Sequence, residues 1–94
     1  MEQQTKIIWK FRLKLTVSQE VKMPKDAKIL SVKNQRESIY IWAEVFPKNP
    51  LVPRYFRIVG TGLDSPPKNG VFLGTIMQVG GAFVWHIYET NEKE

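Results

Sequence analysis

Residues 6–17 read Lys-Ile-Ile-Trp-Lys-Phe-Arg-Leu-Lys-Leu-Thr-Val. Ile7, Trp9, Phe11, Leu13, Leu15 and Val17 occupy alternate positions, and Lys6, Ile8, Lys10, Arg12, Lys14 and Thr16 fill the gaps. A two-residue period puts one set on each side of a β-strand. A helix would scatter the same apolar residues around its circumference. The stretch therefore predicts a strand with one buried face and one wet face. Lys10, Arg12 and Lys14 form a cationic row on the wet face.

Similar runs recur along the chain. Residues 18–23 predict a short second strand with Val21 and Met23 on one side, and residues 24–27 a turn built on Pro24 and Asp26. Residues 28–35 predict a third strand, with Leu30 and Val32 pointing inward. In residues 38–46, Ile39, Ile41, Ala43 and Val45 share one face while Tyr40, Trp42 and Phe46 share the other. Apolar groups on both faces imply a central strand covered on both sides, or one buried in an oligomer interface. Residues 47–53 hold Pro47, Pro50 and Pro53 and predict a loop. Residues 54–60 predict a strand, and residues 63–70, with Pro66-Pro67 and Asn69-Gly70, a second loop. Two β-rich runs then flank Gly80-Gly81, the signature of a hairpin with a primed turn. No segment reads as a helix or a repeat. The pattern implies one all-β domain over residues 1–94, a compact antiparallel sandwich or small barrel of six to seven strands. Residues 1–5 and 90–94 are expected to fray.

A chain of 94 residues buries only about 60–65% of its unfolded surface, so its stability margin is thin. Small β domains often cover their edges by associating, and a homo-oligomer is expected. The absence of cysteine excludes disulfides and thiolate chemistry, and a single histidine argues against a transition-metal site. No apolar run approaches the ~20 residues of a membrane helix, and the polar residues 1–5 lead into no signal-peptide core. The net charge of +5 is uneven. Residues 1–36 carry nine Lys/Arg against three acids, a net of +6; residues 37–94 carry five against six, a net of −1. A basic N-terminal third points to an anionic partner, or only to a solvated strand face.

No catalytic signature stands out. Ser31, Ser38 and Ser65 lie in no elbow or triad context. His86 reads first as a half-buried strand histidine and second as a ligand contact. Gly60-Thr61-Gly62 ends a strand and opens a loop. Such glycines let backbone amides approach a phosphate, or simply make a tight turn. No Gly-Lys-Ser/Thr follows, so it is not a P-loop. Arg54, Tyr55 and Arg57 precede it, with Tyr55 and Arg57 on one strand face.

Several segments resemble a family of small phage- and prophage-encoded proteins of unassigned function. They are Ile8-Trp9-Lys10-Phe11, residues 23–32 (MPKDAKILSV), residues 56–62 (FRIVGTG) and residues 80–89 (GGAFVWHIYE). Members often carry a histidine soon after GTG, where Leu63 stands here. The resemblance implies a phage accessory protein acting by binding in the cytoplasm of a bacterial host, for example against a defence system. It supplies no catalytic residues.

Together these readings predict a non-enzymatic protein that needs no cofactor and no metal. It would capture a nucleotide or cyclic-nucleotide signal through Arg54, Tyr55, Arg57, the Gly60, Thr61 and Gly62 backbone, and His86. Two other roles remain open, both using Lys10, Arg12 and Lys14: inhibition of a host protein, or binding of nucleic acid.

Overall fold

The computed structural model describes residues 5–63 and 65–91, and seven strands form within them. They are β1 (Ile7–Leu13), β2 (Ser18–Pro24), β3 (Lys28–Gln35), β4 (Ser38–Val45), β5 (Leu51–Gly60), β6 (Val71–Gln78) and β7 (Phe83–Thr90). Among the described residues there is no α-helix; one 3₁₀ turn lies at Val79–Gly81. The strands build two antiparallel sheets, ordered β1-β4-β3 and β2-β5-β7-β6. The all-β class is the one that the alternation predicts, and of the two expected architectures, sandwich or small barrel, the two separate sheets are those of a sandwich.

The core is the sum of the inward positions. Leu13, Val32, Ile39, Ile41, Ala43 and Val45 come from the three-stranded sheet; Met23, Phe56, Ile58, Ile76 and Ile87 come from the four-stranded one. Each such large side chain, fully buried, contributes about 1.5–3 kcal/mol. β4 is the cleanest case, with every second residue buried from Ile39 to Val45. The sheets also meet along one margin, where the Asn34 side-chain amide of β3 donates to the Met77 carbonyl of β6 at 3.0 Å.

Several local expectations are corrected. β1 stops at Leu13, and Leu15 and Val17 are 56% and 57% exposed. The chain turns there from one sheet to the other, and the Gln19 side chain bonds both backbone groups of Lys14. Leu30 does not pair inward with Val32. A bulge between Ile29 and Ser31 leaves Leu30 exposed and turns Ile29 toward the core instead.

Residues 51–53 are strand, not loop: Pro53 sits opposite Lys22 in β5. The described pairing of β5 with β7 begins at Tyr55, so the missing N–H of Pro53 interrupts no ladder bond among the described residues. The connection from β6 to β7 covers residues 79–82 rather than two glycines, with positive φ at Val79, Gly80 and Gly81. Thr90 belongs to β7 and is buried, so it is no frayed tail. The other expected tail residues that the structure describes are Thr5, which is exposed, and Asn91; residues 1–4 and 92–94 lie outside the described set.

Candidate functional site

Strand parity decides which of the singled-out residues can meet. On β5, Phe56 and Ile58 point into the core, so Arg57 and Tyr55 point outward. On β7, Ile87 points inward, so His86 and Tyr88 point outward. Arg57 lies directly across from Tyr88, and Val59 directly across from His86. Arg57 and His86 are therefore diagonal neighbours on one surface, within reach of long side chains. Thr61 joins them: its hydroxyl lies 2.7 Å from His86 Nε2, while the Thr75 hydroxyl of β6 lies 3.0 Å from Nδ1. Tyr88 makes an edge contact with Phe72, ring centroids 5.5 Å apart. The outer face of the four-stranded sheet thus gathers Tyr55, Arg57, Thr61, Thr75, His86 and Tyr88.

Arg57 is the unusual member. Its Nε is buried and has no hydrogen-bond partner. No carboxylate among the described residues pairs with it. Glu20 of β2 stands opposite Tyr55, one diagonal step from Arg57, yet makes no ion pair with it. A buried N–H without an acceptor costs about 1–3 kcal/mol, more on a charged group. Such a position invites an anionic acceptor.

His86 has both ring nitrogens against hydroxyls. Which nitrogen donates depends on the tautomer, and the two contacts together pin the start of the loop after β5 to the sheet. Thr61 and His86 stand in the relation of a nucleophile and a base, but the third partner is a hydroxyl rather than a carboxylate. The Thr61 amide is also spent, on the Val84 carbonyl at 3.2 Å. The arrangement offers hydrogen bonds more readily than it offers acid–base chemistry.

Two expected contacts fall elsewhere. Arg54 faces the interior side of the sheet, where it makes a two-pronged pair with Glu89 and donates from Nη1 to the Ala27 carbonyl at 2.9 Å. The hydrogen bond to Glu89 raises its pKa, against the lowering effect of burial. Arg54 is thus occupied in holding β5, β7 and the β2–β3 turn together. Gly60 is buried, and a Cβ there would come within 2.7 Å of Leu63 Cδ1 and 3.0 Å of Trp85 Cζ3. Its role is close packing. Gly62 has φ +74 with open space around it, as a turn requires. With the Thr61 amide bonded, Gly60 to Gly62 make no bed of free amides. Thr75 and Tyr88 are the members of the cluster that the sequence does not single out.

The cationic row lies on the other side of the molecule. Lys10 and Arg12 are exposed on the outer face of the three-stranded sheet, and Lys14 is exposed in the turn beyond β1. They cannot share a ligand of nucleotide size with Arg57. Among the described residues no cluster of metal-ligating side chains occurs, and no helix is long and apolar enough to cross a membrane.

Residues 4–94 match the family described as a domain of unknown function, DUF7352, and the chain belongs to that family. No curated protein and no solved structure matches it.

Proposed function

We propose that this member of the family is a non-enzymatic binding protein that captures a nucleotide-type anion on the outer face of the four-stranded sheet. The observation that carries the reading is Arg57 Nε, buried and lacking an acceptor. A phosphate oxygen would satisfy it with a charge-assisted bond, and the guanidinium fork suits phosphate geometry. Tyr55 and Tyr88 flank Arg57 along and across the strands and offer ring faces or edges to a base. The Thr61 hydroxyl, held in place by His86, adds one hydrogen-bonding group a step further along the face.

The face is open, so a single copy covers a nucleotide on one side only. Phe72 and Met77 point outward on β6, beside Tyr88 and Val84, and are 54% and 58% exposed. A second copy seated on them would close the site and hide the apolar surface. In the phage setting implied by the sequence resemblance, such an oligomer would withhold a nucleotide or cyclic-nucleotide signal from a host defence.

Thermal melting against a panel of nucleotides and cyclic dinucleotides tests this, with native mass spectrometry giving stoichiometry. Ligand at a hundred times its Kd stabilises by about 2.7 kcal/mol. For a domain of this size that is a shift of roughly 10–20 °C. Arg57→Gln should abolish the shift. If no member of the panel moves the melt, or Arg57→Gln keeps the full shift, the reading is wrong.

A further inference from the structure

The register of the three-stranded sheet creates a surface that the linear sequence does not show. Lys10 stands across from Trp42, and Arg12 across from Tyr40. On the far side of β4, Lys33 stands across from the same Tyr40. All five side chains point away from the core, because Ile39, Ile41 and Ala43 of β4 point into it. Adjacent strands are about 4.8 Å apart, so each ring lies one strand spacing from a cation. Lys10 Nζ sits 4.5 Å from the Tyr40 ring centroid and donates to Gln35 at 2.8 Å. Tyr40 and Trp42 are 5.8 Å apart, centroid to centroid, and tilted by 55°.

Among the described residues, positive charge outweighs negative on this face. Glu44 is engaged with Lys6, at 3.5 Å. Glu37 accepts from the Val79 amide, at 3.2 Å. Lys10, Arg12 and Lys33 pair with no carboxylate among the described residues. Shallow grooves run off the face at the same end. One of about 440 Å³ is lined by Gln35, Arg36, Ser38 and Tyr40. Another of about 520 Å³ takes in Arg12, Lys14 and Lys22, together with the single carboxylate of Glu20.

We infer that the outer face of β1-β4-β3 binds single-stranded nucleic acid. Phosphates meet Lys10, Arg12 and Lys33, and unpaired bases stack on Tyr40 and Trp42. An acidic protein surface would need the cations but not the interleaved rings. A duplex hides the faces of its bases, so it would use the cations alone. DNA and RNA strands share the required chemistry.

Fluorescence anisotropy of labelled oligo(dT) and oligo(U) of fifteen nucleotides tests the inference on the whole chain. Three phosphate contacts give a salt slope of about −2, or roughly 20-fold weaker binding at 200 mM than at 50 mM salt. Lys10→Gln with Arg12→Gln leaves one contact, and the same salt change should then cost only about 3-fold. Trp42→Leu keeps apolar bulk and charge but removes a stacking surface, and should weaken binding by about 5- to 150-fold. Tyr40→Leu should act in the same direction, and serves if Trp42→Leu does not fold. A difference between the two labelled strands assigns DNA or RNA. Arg57→Gln should bind as the parent does, which separates this surface from the proposed nucleotide site. Absence of binding at 50 mM salt overturns the inference. So does equal competition by duplex or polyglutamate, or parental affinity in a folded Trp42→Leu or Tyr40→Leu protein.

Discussion

Arg54 and Arg57 are three residues apart on one strand, and their replacement by methionine should have opposite consequences. Methionine keeps an unbranched apolar stem and removes the guanidinium. Arg54 loses both contacts to Glu89 and its bond to the Ala27 carbonyl. Both side chains of the pair are 22% exposed. Exposed pairs contribute about 0.2–1 kcal/mol. Breaking a fully buried pair costs about 3–5 kcal/mol. A pair about one-fifth exposed falls between, near 2 kcal/mol, and the stranded Ala27 carbonyl adds about 1 kcal/mol. Arg54→Met should therefore cost about 3 kcal/mol, a fall in Tm of some 12–24 °C. Arg57→Met removes a buried N–H that has no partner. It should leave stability unchanged or raise it by about 1 kcal/mol. Urea titration reads both as shifts in midpoint at constant slope. Glu89→Gln added to Arg54→Met should cost little more, because the two residues act as one unit. Equal destabilisation by the two arginine replacements would refute the division of roles. So would an Arg54→Met protein within about 0.5 kcal/mol of the parent.

Three further outcomes follow from local geometry. Val79 holds φ +51, a costly conformation for a β-branched residue, and is 61% exposed. Val79→Asn should stabilise by about 0.5–1 kcal/mol, seen as a higher Tm. A Cβ on Gly70 would lie 2.4 Å from Pro67 Cγ and 3.2 Å from Tyr88 Cδ2. Gly70→Ala should cost about 1–3 kcal/mol in denaturant titration and increase proteolysis of the loop before β6. His86→Phe loses the bonds to Thr61 and Thr75. It should cost about 1–2 kcal/mol and speed amide exchange at residues 61–63, measured by hydrogen exchange.

Much of the candidate site follows from counting alone. Strand parity puts Tyr55 with Arg57, and His86 with Tyr88. Counting back from Gly80-Gly81 pairs Thr75 with His86, and the observed ladder keeps that register although its last pair is Gln78 with Phe83. Thr75 was therefore within reach of the sequence. The partner of Arg54 was not. Glu89 lies 35 residues away, and only the β5–β7 pairing brings the two together.

The alternation of residues 6–17 and 38–46 was sufficient for the all-β class, the inward set of β4 and the wet cationic side of β1. Those are local properties, because side-chain direction repeats every two residues whatever the strand pairs with. Tertiary structure decided the rest. It ended β1 at Leu13, where the chain crosses between sheets, and it admitted Pro53 to β5, ahead of the described pairing with β7. It committed Arg54 to Glu89 and left Arg57 Nε buried without an acceptor. It also set Lys10 and Arg12 beside Tyr40 and Trp42, residues 28–32 positions apart that only strand register makes neighbours.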